Sequence, residues 1–186
     1  MNIIALGFLG SLAAGLMTAA GAVPILFGRT VSRRTNDVLL GFAAGVMLSA
    51  SFFSLIIPSL EISTRLYGEG YYPVLIAVGG IILGAAAIHL LDERIPHRHF
   101  IKGYEGPKAE SIRKIWLFVI AITLHNVPEG LAVGVGFGGG DISAATTLAL
   151  GIGLQNAPEG LAVALALQSE GYSKKYAFTV ASLTGL

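Results

Sequence analysis

The motif HNVPEGLAV at residues 125–133 is repeated as QNAPEGLAV at residues 155–163. Both copies lie in the middle of long apolar segments, where a carboxylate, an amide and a helix-breaking proline are not expected for packing reasons. A carboxylate near the centre of a bilayer is costly and by default indicates a functional site. The repeat therefore predicts one polar site that is built from two helices.

The composition indicates an integral membrane protein. Hydrophobic residues make up 54% of the 186 residues and charged residues only 12%, and the mean hydropathy is +0.74. A soluble domain carries about twice that share of charge. The net charge of +1 gives no reason to expect a nucleic-acid partner. Because the sequence contains no cysteine, it has no disulfide and no thiolate metal site.

The apolar segments predict an all-α fold, a polytopic transmembrane helix bundle that forms a single domain over residues 1–186. About 20 apolar residues cross a hydrocarbon core of about 30 Å. A sixth segment begins near Tyr176 and stops at Leu186, which is too short to span as a helix. We therefore expect the sequence to be truncated within a helix, with the later spans missing. The five full spans are predicted at 2–28, 38–60, 72–91, 115–138 and 143–168.

The basic residues predict the orientation. All of the 12 Lys and Arg residues except Arg65 follow the first, third or fifth span, and an excess of basic residues marks the cytoplasmic side. The N-terminus is thus expected outside and the polar connection 92–114 inside, in the plasma (inner) membrane. His97 and His99 in this connection follow His89 and Asp92, and such a cluster could bind a metal transiently, but a solvated loop is the favoured interpretation.

The motif residues form a suitable ligand set for a divalent cation. Residues four apart share a helix face, so His125 points with Glu129, and Gln155 with Glu159. Two carboxylates that face each other at low dielectric repel and are penalised by desolvation, and a divalent cation relieves both costs. An imidazole nitrogen with carboxylate and amide oxygens suits Zn²⁺ or another first-row ion.

The remaining motif residues extend this prediction. Asn126 and Asn156 lie about 100° round the helix from their neighbours, close enough to border the same cavity. Pro128 and Pro158 cannot donate to the carbonyls four residues earlier and tend to kink the helix. Irregular backbone at this depth is tolerated where it lines a cavity. The glycine after each glutamate is expected to allow close approach of another helix.

Span two adds weaker candidates. Met47, Ser51 and Ser54 lie on one helix face, at offsets of four and three. Met47 offers a thioether and Ser54 a hydroxyl, but methionine is more often core filler and serine often bonds to its own helix. From the residues alone, packing is the favoured interpretation of this face.

With its two motifs, the sequence resembles the ZIP (Zrt/Irt-like) family of divalent-metal transporters, and most of all the GufA-like branch. The resemblance covers essentially the whole chain. It implies a bundle of eight transmembrane helices, with a metal site formed mainly by spans four and five and a second metal position nearby, toward the two asparagines. The sequence differs from many members at Gln155, where they have His, and from some at Asn156, where they have Asp. The metal-site residues that the resemblance implies are His125, Glu129, Gln155, Glu159, Asn126, Asn156, Met47 and Ser54.

The expected function is transport of a divalent metal cation toward the cytoplasm. Zn²⁺ is the first expectation, with Cd²⁺, Fe²⁺ and Mn²⁺ as others. The ion is the transported substrate, singly or as a binuclear pair, and no catalytic cofactor is expected because the protein is not expected to be an enzyme. The alternatives are an intramembrane metal-dependent hydrolase, which would need a general base beside a metal-bound water, and a metal sensor that does not transport. The lipid bilayer is the other partner, and a homodimer is left open.

Overall fold

The computed structural model describes residues 2–28, 31–94 and 107–186, and every regular element in these ranges is helical. Five helices in the described ranges are long and apolar enough to cross a membrane. The predicted all-α, polytopic membrane fold is therefore confirmed. The elements are α1 (Ile3–Leu26), α2 (Arg33–Ser49), a π-helical segment (Ala50–Ile56), α3 (Ile57–Tyr67), α4 (Tyr71–Arg94), α5 (Pro107–Gly138), α6 (Ile142–Ser169) and α7 (Lys174–Thr184).

Local signals in the sequence set several helix ends. The side chains of Asn2, Ser32, Asp141 and Ser173 accept hydrogen bonds from backbone N–H groups in the first turns of α1, α2, α6 and α7. Such caps satisfy donors that the helix itself leaves without partners. Between α5 and α6, Gly140 has a φ of +86°, a conformation that glycine adopts without steric cost. This short turn makes α5 and α6 direct neighbours.

The second span, Arg33–Tyr67, contains a π-helical segment in its middle. Pro58 accounts for it, because the ring crowds the carbonyl of Ser54 and the residue has no N–H to donate. A wider turn, with i→i+5 hydrogen bonds, lets the helix continue past the proline. Residues beyond Ala50 are therefore rotated away from the positions that a regular α-helix predicts.

The connection between α4 and α5 differs from the predicted loop over 92–114. α4 continues to Arg94, and α5 already begins at Pro107. Proline is favoured in the first turn of a helix, because its missing N–H would have no partner there. His97 and His99 lie outside the described residues. The cytoplasmic location of this connection and the single-domain organisation stay predictions.

α6 lies at the centre of the packing. In its most apolar window 67% of the residues are buried, against 6% in α4. It contacts α1, α2, α5 and α7. Val163, Ala164 and Leu167 of α6 form a core with Ala177 and Ala181 of α7. Side chains near the middle of α6 are therefore shielded on several sides, whereas only 11% of the corresponding window of α5 is buried within the described chain, which leaves one side of α5 open.

Close backbone approach joins α1 to α6. A Cβ at Gly160 would overlap the carbonyl oxygen of Thr18, and one at Gly21 would overlap that of Ala157. At Gly130, the equivalent glycine of the first motif, no atom of a neighbouring helix in the described ranges lies within 4 Å of a Cβ position. Because lipid gives no hydrophobic drive for helix association, small-residue contacts of this kind carry the packing. The expected close contact is thus found at Gly160, while the Cβ position of Gly130 is open.

Candidate metal site

The motif side chains of α5 and α6 meet between the two helices. Oε1 of Glu129 lies 3.2 Å from Nε2 of His125, one turn earlier on α5. The same oxygen accepts a hydrogen bond from Nε2 of Gln155 on α6. One ligand atom each from His125, Glu129 and Glu159 lies within 4.8 Å of the others. The structure thus brings together the four residues that the sequence placed on the facing sides of spans four and five.

Several polar atoms of this cluster have no hydrogen-bond partner within the described ranges. They are Nε2 of His125, Oε2 of Glu129, Oε1 of Gln155 and Oε2 of Glu159. A buried polar group without a partner costs about 1–3 kcal/mol, and a charged one costs more. Glu159 is 4% exposed, so bulk water cannot offset this cost. Because one ligand atom each of His125, Glu129 and Glu159 also lies within 4.8 Å of the others, these residues form a suitable site for a cation.

The charges of the cluster also favour a divalent ion. Glu129 and Glu159 belong to facing helices and to the same group of ligand atoms. Like charges this close repel strongly where the dielectric constant is low. A divalent cation between them would offset both charges. One imidazole nitrogen and two carboxylate oxygens match the atoms that bind Zn²⁺ in proteins.

A cavity of about 710 Å³ lies beside the cluster, bounded by α5, α6, the second span and α4. Its wall is largely apolar, and His125, Glu129 and Gln155 place polar atoms on it. Ligand sites are commonly cavities of this kind, with an apolar wall and a few convergent polar groups. The cavity thus borders three of the four cluster residues on one side of α5.

The second span contributes to the cavity only in part. Met47 and Ser51 line it, whereas Ser54 is not among the described residues that do. The predicted face assumed regular α-helical offsets. The wider turns of the π-helical segment carry Ser54 away from that face. Roles for Met47 and Ser54 as metal ligands stay predictions.

Asn126 and Asn156 point away from the cavity. Nδ2 of Asn126 donates to the carbonyl oxygen of Thr184 at 2.8 Å, and Nδ2 of Asn156 donates to that of Ala14 at 3.0 Å. The residues described around the cavity include neither asparagine, so the expectation that both border it is not met. Their Oδ1 atoms have no hydrogen-bond partner in the part of the chain that the structure describes. The rotation of about 100° from the preceding residue directs each amide at α7 or α1 instead.

His89 is a cavity residue that the sequence analysis did not assign to the site. It lies on α4 with Gly84, Ala85 and Ile88, and all four line the cavity. Their spacing of i, i+1, i+4 and i+5 defines one helix face. This spacing was visible in the sequence, but nothing in the sequence indicated that this face of α4 is opposite α5.

Comparison with known proteins finds relatives along nearly the whole chain. Residues 101–186 match the model of the family described as ZIP Zinc transporter. The chain is 40% identical over 180 residues to the zinc transporter GufA of Myxococcus xanthus, covering 97% of this chain and 71% of GufA. It is 43% identical over 144 residues to the zinc transporter ZIPB of Bordetella bronchiseptica, covering 77% of this chain but 47% of ZIPB, about half its length. Identity to the human zinc transporter ZIP11 is 33%, with 91% of this chain and 73% of ZIP11 covered.

Proposed function

The chain belongs to the ZIP family of zinc transporters, in its GufA-like branch, and on this basis we propose that it moves divalent metal cations, Zn²⁺ first among them, across a membrane. It is a multi-pass membrane protein and not an enzyme, so the ion is its substrate. Membership of a transporter family leaves the hydrolase alternative without support.

The observation that carries this proposal is the ligand cluster between α5 and α6. It offers four buried electron-pair donors, two of them on carboxylates, at the middle of two membrane-spanning helices. A site that only stabilised the fold would normally satisfy such atoms with protein donors. Here His125, Glu129 and Gln155 border a cavity through which an ion could arrive and leave. His125, Glu129, Gln155 and Glu159 are the proposed ligands of the transported ion.

Gln155 has two ways to interact within this cluster. Its Nε2 donates to Glu129, while its Oε1 has no hydrogen-bond partner within the described chain. Rotation of the carboxamide would present Oε1 to an ion and free the glutamate oxygen at the same time. Amide and carboxylate oxygens accept many divalent ions, so transport of Cd²⁺, Fe²⁺ or Mn²⁺ besides Zn²⁺ is part of the proposal.

A second, neighbouring metal position is the finer part of the proposal. Asn126 and Asn156 support it because each keeps an Oδ1 atom without a described partner. Met47 supports a contact from the second span because it lines the cavity, and Ser54 would have to turn toward it. A binuclear site predicts two tightly bound Zn²⁺ ions per chain in equilibrium dialysis, falling to one in the double variant Asn126→Ala, Asn156→Ala.

The proposed orientation of the chain in the membrane rests on the basic residues. We place the chain in the plasma (inner) membrane, with the N-terminus outside and the α4–α5 connection on the cytoplasmic side, because basic residues accumulate on that side. Transport toward the cytoplasm is the direction that we propose, as the resemblance to the family implies. Exposed apolar residues on α4, such as Leu75, Ile82 and Leu83, suit contact with lipid or with a second copy in a homodimer.

The test is zinc flux through the full-length chain in liposomes that contain a metal-sensitive dye. The wild type should carry Zn²⁺ inward, whereas Glu129→Ala and Glu159→Ala should abolish the signal while still inserting. Glu69→Ala is the matched control, because Glu69 is an exposed carboxylate in the turn between α3 and α4. Zinc that binds without crossing the bilayer would favour a sensor, and normal flux in both cluster variants would remove the site assignment.

A further inference from the structure

His89 lines the same cavity as His125, Glu129 and Gln155, and the function proposed above gives it no role. We propose that His89 is an additional metal-contact residue, which binds the ion transiently as it passes between the cluster and the end of the cavity nearest the α4–α5 connection. The proposal rests on the transport function proposed above. It concerns a single imidazole on a different helix from the cluster.

The position of His89 follows from the direction of the helices. α4 runs toward the connection 95–106 and α5 runs away from it. Among the residues whose side chains are described, His89 is the last of α4 that lines the cavity and Ala121 is the first of α5, so both mark the same end of the cavity. The lining residues of α5 extend from Ala121 to Ala132, about 16 Å of helix, with His125 and Glu129 between them. An ion that moves from the cluster toward this end passes His89.

The chemistry of the wall singles out this residue. Among the described residues that line the cavity, the ionisable ones are His89, His125 and Glu129. Gly84 and Ala85 leave the α4 side of the cavity open in front of them, because neither has a side chain beyond Cβ. A partly dehydrated Zn²⁺ leaving the cluster meets mostly hydrocarbon, where an uncompensated charge is strongly disfavoured. An imidazole nitrogen offers a replacement ligand on the way out, and it suits Zn²⁺ better than Mn²⁺.

A transient ligand affects the rate more than the affinity. Removing His89 should leave zinc binding at the cluster unchanged, because the four proposed ligands are intact. The maximal zinc flux should be about tenfold lower in His89→Ala than in the wild type, equivalent to about 1.4 kcal/mol in the barrier. The flux of Mn²⁺ should fall less. Ile88→Ala is the matched control, because it shortens the neighbouring residue of the same wall without removing a ligand.

The absence of cysteine from these 186 residues allows a second, independent measurement. Thiolate is also a zinc ligand, so His89→Cys should recover zinc flux relative to His89→Ala. The thiol it introduces can be labelled with a maleimide in the reconstituted protein. Zn²⁺ should slow this labelling and Mg²⁺, which prefers oxygen ligands, should not.

The outcomes separate this inference from the proposed function. If the wild type and His89→Ala carried zinc at the same rate, the proposed role of His89 would be overturned, while the transport proposal would stand. Equal labelling of the His89→Cys thiol with and without Zn²⁺ would overturn it as well. If the wild type carried no zinc at all, the transport proposal would fail, and slower labelling in Zn²⁺ would still establish a metal contact at this position. If His89→Ala did not insert, the labelling result would decide.

Discussion

Nε2 of Gln155 on α6 donates a hydrogen bond to Oε1 of Glu129 on α5. The bond links the two motif copies directly, through one of the two positions at which they differ, since Gln155 corresponds to His125. An amide N–H close to a carboxylate partly compensates its negative charge. Binding of an ion by Glu129 must therefore compete with this bond. Gln155 is both a ligand candidate and an internal competitor for the carboxylate.

Gln155→His should raise the preference for Zn²⁺ over Mn²⁺. Imidazole suits zinc better than an amide oxygen does, so we expect a shift of about tenfold in the ratio of the two fluxes, equivalent to about 1.4 kcal/mol. Competition between the two ions for uptake into liposomes measures the ratio. Gln155→Leu is the control that removes the amide without supplying a ligand. If Gln155→His leaves the preference unchanged, Gln155 does not contact the ion.

Gly160→Ala should destabilise the protein, while Gly130→Ala should be nearly neutral. The two glycines are equivalent in the repeated motif, but the Cβ position of Gly160 overlaps the backbone of Thr18 and that of Gly130 is open. Overpacking a tight contact costs about 1–3 kcal/mol. Thermal unfolding in detergent compares the two variants under one condition. Similar midpoints for both would show that α1 and α6 are not in close contact.

Acidification should weaken metal binding, with release of protons when the ion binds. A metal ion and a proton compete for the same atoms of His125, Glu129 and Glu159, because ligands must be unprotonated to bind. The apparent Kd for Zn²⁺ should therefore rise as the pH falls through the mildly acidic range. Calorimetric titrations in two buffers with different ionisation enthalpies count the protons released.

In Glu159→Gln the proton count should fall, since that side chain no longer takes up a proton. A Kd that stays constant with pH, without proton release, would indicate that protein donors already hold these carboxylates in their ionised form. The ligand assignment would then need revision at the glutamates.

The five spans and the pairing of α5 with α6 could be predicted because they depend on local features. Apolar length sets the spans, and the short turn at Gly140 makes the two motif helices neighbours. The four-residue spacing that places His125 with Glu129 is a property of any α-helix. For these reasons the repeated motif predicts the cluster between the two helices.

The remaining features depend on partners distant in sequence. The two motifs have the same pattern, yet α6 is enclosed by α1 and α7 while α5 keeps an open side, so Gly130 and Gly160 differ. Asn126 and Asn156 donate hydrogen bonds to carbonyl oxygens of α7 and α1. The positions of these two helices cannot be predicted from the local sequence around the asparagines. Pro58 was a readable signal for the irregular turn in the second span, and it explains why Ser54 leaves the predicted face.

The open side of α5 and the enclosed position of α6 make access to the ligands graded. Side-chain exposure is 41% at His125 and 12% at Glu129, and Glu159 is buried. Under the proposed transport function, a hydrated ion in the cavity would meet the imidazole first and the innermost carboxylate last. Its water molecules can be exchanged for protein ligands one at a time, so no single step has to strip the whole hydration shell. Dehydration, the costliest part of carrying a divalent ion into a membrane, is divided along the depth of the site.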